Sequence, residues 1–121
     1  MDLKMYILVN QDIKMGKGKL AGQVGHAVAS FLYDFALDHG VEELTDYMES
    51  DQKKIILKCP QEKLEELEKE GYISIRDKGY TQLEPDTLTC VNFGIWSWRE
   101  KDKPDWIKEL KLLWQTKNSL K

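Results

Sequence analysis

The chain has 121 residues, enough for one domain that buries about two thirds of its unfolded surface. Its 41% apolar and 32% charged residues are an ordinary globular balance, which excludes a low-complexity or membrane-embedded chain. A net charge of −3 excludes a protein that binds polyanions over its whole surface, so any nucleic-acid contact must come from a local patch.

Lys4, Lys14, Lys17 and Lys19 supply one candidate patch, and the acids gather at Glu42 to Asp51 and Glu62 to Glu70. Met5 to Val9 is an apolar, β-rich run and reads as a buried strand. Lys14-Met15-Gly16-Lys17-Gly18-Lys19 follows it as a glycine-and-lysine turn. The turn opens a helical pattern from Leu20 to about Asp38, which Gly40 closes. Gly16 and Gly18 permit a tight or left-handed backbone with little side chain in the way of a ligand. The first amides of a helix lack partners and lie at its positive end, which suits an anion. The spacing fits neither a Walker loop nor a dinucleotide fingerprint, so the residues alone give an anion site of unidentified ligand.

On the helix, Lys19, Gln23, His26 and Ser30 share one face by their four-three-four spacing. Leu20, Val24, Ala27, Phe31 and Phe35 form the apolar stripe beside it. Gly22 and Gly25 are poor helix formers, and the expected use is close approach of another backbone.

Val41 to Glu49 is predicted as a short acidic helix with Leu44, Tyr47 and Met48 inward. Lys54 to Cys59 is the second strand. Pro60 introduces a helix to Glu70 whose inner stripe is Leu64 and Leu67, and Gly71 follows it. Tyr72 to Arg76 is the third strand, Asp77-Lys78-Gly79 a turn, and Thr81 to Thr87 a polar loop. Leu88 to Ile95 is the fourth strand. Trp96 to Lys103 is a connection, after which Pro104 opens a last helix to about Gln115, with Trp106, Ile107, Leu110, Leu113 and Trp114 at helical spacing.

Strands alternating with helices predict an α/β fold, a small four-stranded mixed sheet flanked by helices on both faces, across residues 1–121 as a single domain. Ligands in such folds collect at the carboxyl ends of strands. Cys59 and Cys90 are too few for a disulfide framework and read as buried thiols, which suits a reducing compartment. With no signal peptide at the start and no membrane-length apolar run, the expected location is cytoplasmic.

The glycine-lysine motif, with Ala21, Gln23, His26 and Ala27 behind it, resembles the signature of the archaeal and eukaryotic (second) class of peptidyl-tRNA hydrolase. Lys4-Met5 before the first strand fits the same family. So do Asp77-x-Gly79-x-Thr81-Gln82, then Pro85 and Thr89, and Leu110-Lys111-Leu112-Leu113 matches the family's closing helix. The chain departs from the family's pattern at three places. Tyr80 stands where the family usually carries arginine, and Glu84 where it has a small residue. Asn92 to Ile95, followed by Trp96-Ser97-Trp98, replaces a Gly-Ile-Gly-Pro strand end.

The resemblance implies hydrolysis of the ester joining a peptide to the terminal ribose of tRNA, with peptidyl-tRNA as partner and no metal or cofactor. A homodimer is left open. It assigns the functional lysine to Lys19, the aspartate to Asp77 and two threonines to Thr81 and Thr89, and puts His26 and Gln23 near them. Lys14, Gly16, Lys17, Gly18 and Gln23 are then expected to bind substrate. Ester hydrolysis needs a positioned water, a proton acceptor and a counter-charge for the oxyanion, which these residue types can supply. The alternative is a weakly active or inactive homologue on the same fold that binds RNA, a nucleotide or a protein.

Overall fold

The computed structural model describes residues 2–80, 83–97 and 103–113. In chain order the elements are β1 (Leu3–Asn10), α1 (Lys17–His39), a 3-10 turn (Val41–Leu44), α2 (Thr45–Glu49), β2 (Lys53–Cys59), α3 (Gln61–Lys69), β3 (Ile73–Asp77), β4 (Thr87–Ser97) and α4 (Trp106–Glu109). The sheet order is β2-β1-β4-β3, with β2 parallel to β1 and β4 antiparallel to both β1 and β3. Three strands therefore point the same way, and the carboxyl ends of β1, β2 and β3 lie at the same end of the sheet. The predicted mixed α/β sheet is the observed one.

Both faces of the sheet are covered, which is why β1 reads as a continuous apolar run and not as an alternation. Met5, Ile7 and Val9 pack with Ala27 of α1. Leu8 turns the other way, toward Leu64 and Leu67 of α3 and Ile107 of α4. α1 ends where predicted. Gly40 takes φ +89°, a left-handed value suited to glycine, and its N–H donates to the Ala36 carbonyl at 2.9 Å. Among the described residues, no helix is long and apolar enough to cross a membrane.

Three local expectations are corrected. The closing helix stops at Glu109, and Leu110 is already extended. The chain then runs along β2. Lys58 N–H donates to Lys111 O and Leu113 N–H to Ile56 O, both at 2.9 Å, with Leu57 and Leu112 paired as an antiparallel bridge. Unpaired β2 backbone outcompetes another helical turn, so Leu110 to Leu113 are not helical; Trp114 lies outside the described residues. Met48 is 41% exposed, because the 3-10 turn before α2 rotates Leu44 and Tyr47 inward and leaves Met48 outside. Gly22 and Gly25 meet no other backbone, since a Cβ on either would have nothing within 4 Å.

Candidate active site

The site lies where α1 crosses the carboxyl end of β3. Asp77, the last residue of β3, points at α1 and is only 5% exposed. The Lys19 ammonium, from the first turn of α1, forms an ion pair with its Oδ1. Gln23, one turn further, turns its amide to the same oxygen, Nε2 to Oδ1 at 3.5 Å. The Gly79 N–H donates to Oδ2 at 2.8 Å. The Lys19 hydrogen bond is the main reason that Asp77 sits below the ordinary carboxylate value of 3.8; burial opposes it and the Gly79 amide assists it. Asp77 is thus an ionised carboxylate that accepts from three donors among the described residues.

Lys19 and Asp77 open into a cleft of about 750 Å³, which His26 and Ser30 line along α1 and Ser74 and Arg76 line along β3. Lys19, Gln23 and His26 therefore reach the cleft on one helical face, as their spacing predicted, and Asp77 meets them although it is far away in sequence. Thr89 is not in the cleft. It is wholly buried, and its hydroxyl donates to Gln23 Oε1 at 2.7 Å while also lying 3.1 Å from the Ile75 carbonyl. Among the described residues it is linked to Asp77 through Gln23. Thr81 lies outside the described residues.

Thr89 reaches Gln23 because of a bulge. The β3–β4 register passes from Ile75↔Cys90 to Arg76↔Leu88, so Thr89 is an extra residue on β4. Cys90 and Thr89, neighbours in sequence, both turn toward α1; the Cys90 thiol lies 3.4 Å from the Gln23 carbonyl oxygen. Thr89→Val keeps the shape but leaves the buried Gln23 side-chain oxygen, Oε1, without its donor. It should cost about 1–3 kcal/mol of stability and lower kcat several-fold with KM unchanged. Thermal unfolding and steady-state kinetics check this, and a raised KM with kcat intact would mean that Thr89 acts on substrate.

The glycine-lysine turn differs from expectation. Gly16 caps α1 with extended backbone, φ −67° and ψ 164°, and Gly18 is helical, so neither adopts a left-handed conformation. Gly18 lines the cleft, and a Cβ there would meet nothing within 4 Å. Lys17 instead borders an apolar hollow on the other side of α1, with Val24, Val28 and Ile56. Lys4 sits at the far end of β1 from Lys14, 3.6 Å from Asp2. The four lysines do not form one patch, because β1 separates Lys4 from the rest and the two-residue step on α1, about 200° around the helix, aims Lys17 and Lys19 apart.

Neither Tyr80 nor Gly79 receives a role in the cleft from the sequence alone. Tyr80, 85% exposed, lines its mouth. Gly79 takes φ +81° against Pro85, and that turn fixes the amide that holds Asp77.

The sequence profile of a family described as "Peptidyl-tRNA hydrolase PTH2" matches residues 3–113. Three archaeal proteins named peptidyl-tRNA hydrolase are among the chain's relatives. That of Haloquadratum walsbyi is 40% identical over 76% of this chain and 85% of its own length. Those of Thermoplasma volcanium and Sulfurisphaera tokodaii are 38% and 41% identical, each over 78% of this chain and 86% of theirs. The match takes in Lys19, Gln23, His26 and Asp77, the residues that the fold gathers at the cleft, and on these grounds the chain belongs to the peptidyl-tRNA hydrolase PTH2 family.

Proposed function

We propose that this chain hydrolyses peptidyl-tRNA with the Lys19–Asp77 pair as its reacting centre. The observation that carries this reading is a buried carboxylate ion-paired to a lysine inside a cleft. A water hydrogen-bonded to Asp77 adds to the ester carbonyl and gives up its proton to the carboxylate. The carbonyl oxygen takes its negative charge opposite Lys19. Collapse expels the ribose oxygen, which regains the proton. A carboxylate held low is a weak base, so the larger contribution is expected from the fixed ammonium facing the oxyanion.

His26, exposed on the same face of α1, is assigned to the reacting end of the substrate. Gln23 holds the Asp77 carboxylate and Thr89 holds Gln23. Thr81, which follows Tyr80 at the cleft mouth, is assigned to orienting the water or the terminal ribose. Lys14, Gly16, Lys17 and Gly18, around the amino end of α1, are assigned to a phosphate of the tRNA end. Residues 1–121 are read as one domain that works alone or in a homodimer, since each copy carries its own pair. The proposed location is the cytoplasm, where translation produces this substrate and where the free thiols Cys59 and Cys90 stay reduced.

The pH dependence tests the pairing. A carboxylate whose folded pKa is depressed is ionised above that value and loses activity, and its stabilising ion pair, only as pH falls through it. The acid limb of wild-type single-turnover hydrolysis should therefore lie below 3.8, Asp77's ordinary value. In Lys19→Ala the main lowering cause is gone and burial remains, so the residual rate should show a limb at higher pH. A limb at the same pH in both proteins would mean that Lys19 does not hold the charge on Asp77.

A further inference from the structure

The two edges of the sheet are treated differently. The β2 edge is covered by the chain at Lys111 to Leu113. β3 is the other edge, and among the described residues no strand pairs with its outer side. Such an edge is a template for another extended chain.

Its free groups can be assigned. The Ile75 carbonyl oxygen lies 3.1 Å from the Thr89 hydroxyl of β4, and the Asp77 carbonyl receives the Asp86 N–H at 2.6 Å, so both face the β4 side. Alternation along a strand then turns the N–H and C=O of Ser74 and Arg76 to the outer edge. The Arg76 side chain is held on the sheet's other face by Glu68, at 2.9 and 2.7 Å, and does not cover that edge.

The hollow follows the strand. The cleft reaches Ser30 on α1 and Ser74 on β3, and a second hollow of about 170 Å³ begins at the next residues, Phe31 and Ile73. Gly18 and Gly22 leave room on the α1 wall between its lining side chains, with nothing within 4 Å of a Cβ on either. At about 3.4 Å per residue the strand gives roughly 17 Å of edge, room for four or five residues of extended peptide. One end of that edge is Asp77, beside Lys19.

We propose that the peptide part of the substrate binds as an added strand on the outer edge of β3, parallel to it. The direction follows from chemistry. The scissile ester is at the peptide's carboxyl end and β3 runs toward Asp77, so only a parallel strand delivers the ester to the pair. Recognition by main-chain hydrogen bonds takes any peptide sequence, as a substrate whose peptide varies from molecule to molecule requires. This inference deepens the proposed function and rests on it.

The test is a set of tRNAs carrying one N-acetylated tetrapeptide in which each peptide nitrogen is methylated in turn, assayed for kcat/KM with the wild-type protein. Every second position should lose about tenfold, the loss of one hydrogen bond, and the positions between should lose little. Ser74→Pro, which removes an outward N–H and leaves the β4 side intact, should raise KM for the tetrapeptide ester but not for an N-acetylaminoacyl ester. The methylation series stands even if that variant folds poorly. Hydrolysis of the parent with uniform losses, or with none, would overturn the added strand and leave the enzyme reading standing. No hydrolysis of the parent would overturn both.

Discussion

Lys19→Ala and Asp77→Asn should each lower single-turnover release of peptide by about two orders of magnitude or more, the scale usual for acid–base and oxyanion groups. The two losses should not multiply. Lys19 is aimed by the Asp77 carboxylate, and Asp77 is kept ionised chiefly by Lys19, so removing either disables the other. The double variant should lose little beyond the worse single one, as residues acting as a unit do. Folding should survive, since neither residue belongs to the two apolar clusters. Fully multiplicative losses would mean two independent functions, with the ion pair incidental to both.

Gly79→Ala should be the most damaging single-methyl change at the site. With φ at +81° any side chain carries strain of about 1–3 kcal/mol. The new Cβ would also lie 2.8 Å from both Cγ and N of Pro85, atoms of a rigid ring that cannot move aside without the chain. The turn must open, and Asp77 Oδ2 then loses its backbone donor. We expect a drop in Tm of roughly 5–15 °C and at least a tenfold lower kcat, measured by calorimetry and steady-state kinetics. Gly18→Ala is the control: that residue is helical and opens on empty space, so stability should hold or rise slightly. Equal stability losses in the two variants would contradict this account of the turn.

The sequence was informative where a residue's surroundings repeat with the local period. The face shared by Lys19, Gln23 and His26, the inward Leu64 and Leu67 of α3, and the cap at Gly40 follow from helix geometry alone. The lysine–aspartate pairing did not. It joins β3 to α1 across 58 residues, and only the family resemblance brought Asp77 to Lys19. Thr89 shows a second limit. Simple alternation would send Thr89 and Cys90 to opposite faces, and a one-residue bulge sends both to α1. The closing segment failed for a third reason. Trp106, Ile107, Leu110 and Leu113 have helical spacing, yet the open edge of β2 recruits the chain after Glu109. Local pattern carries no information about an unpaired strand elsewhere. Gly22 and Gly25 misled in the opposite sense, because nothing in their spacing distinguishes a helix packed close to a neighbour from one that borders open hollows.

The most direct measurement is single-turnover release of peptide from one purified peptidyl-tRNA by the wild-type protein and by Asp77→Asn, with matched unfolding curves. The account predicts wild-type release far above the buffer rate and a variant, equally folded, at about a hundredth of wild type or less. Wild-type release no faster than buffer would contradict the enzyme, and full activity in the folded variant would contradict the pair.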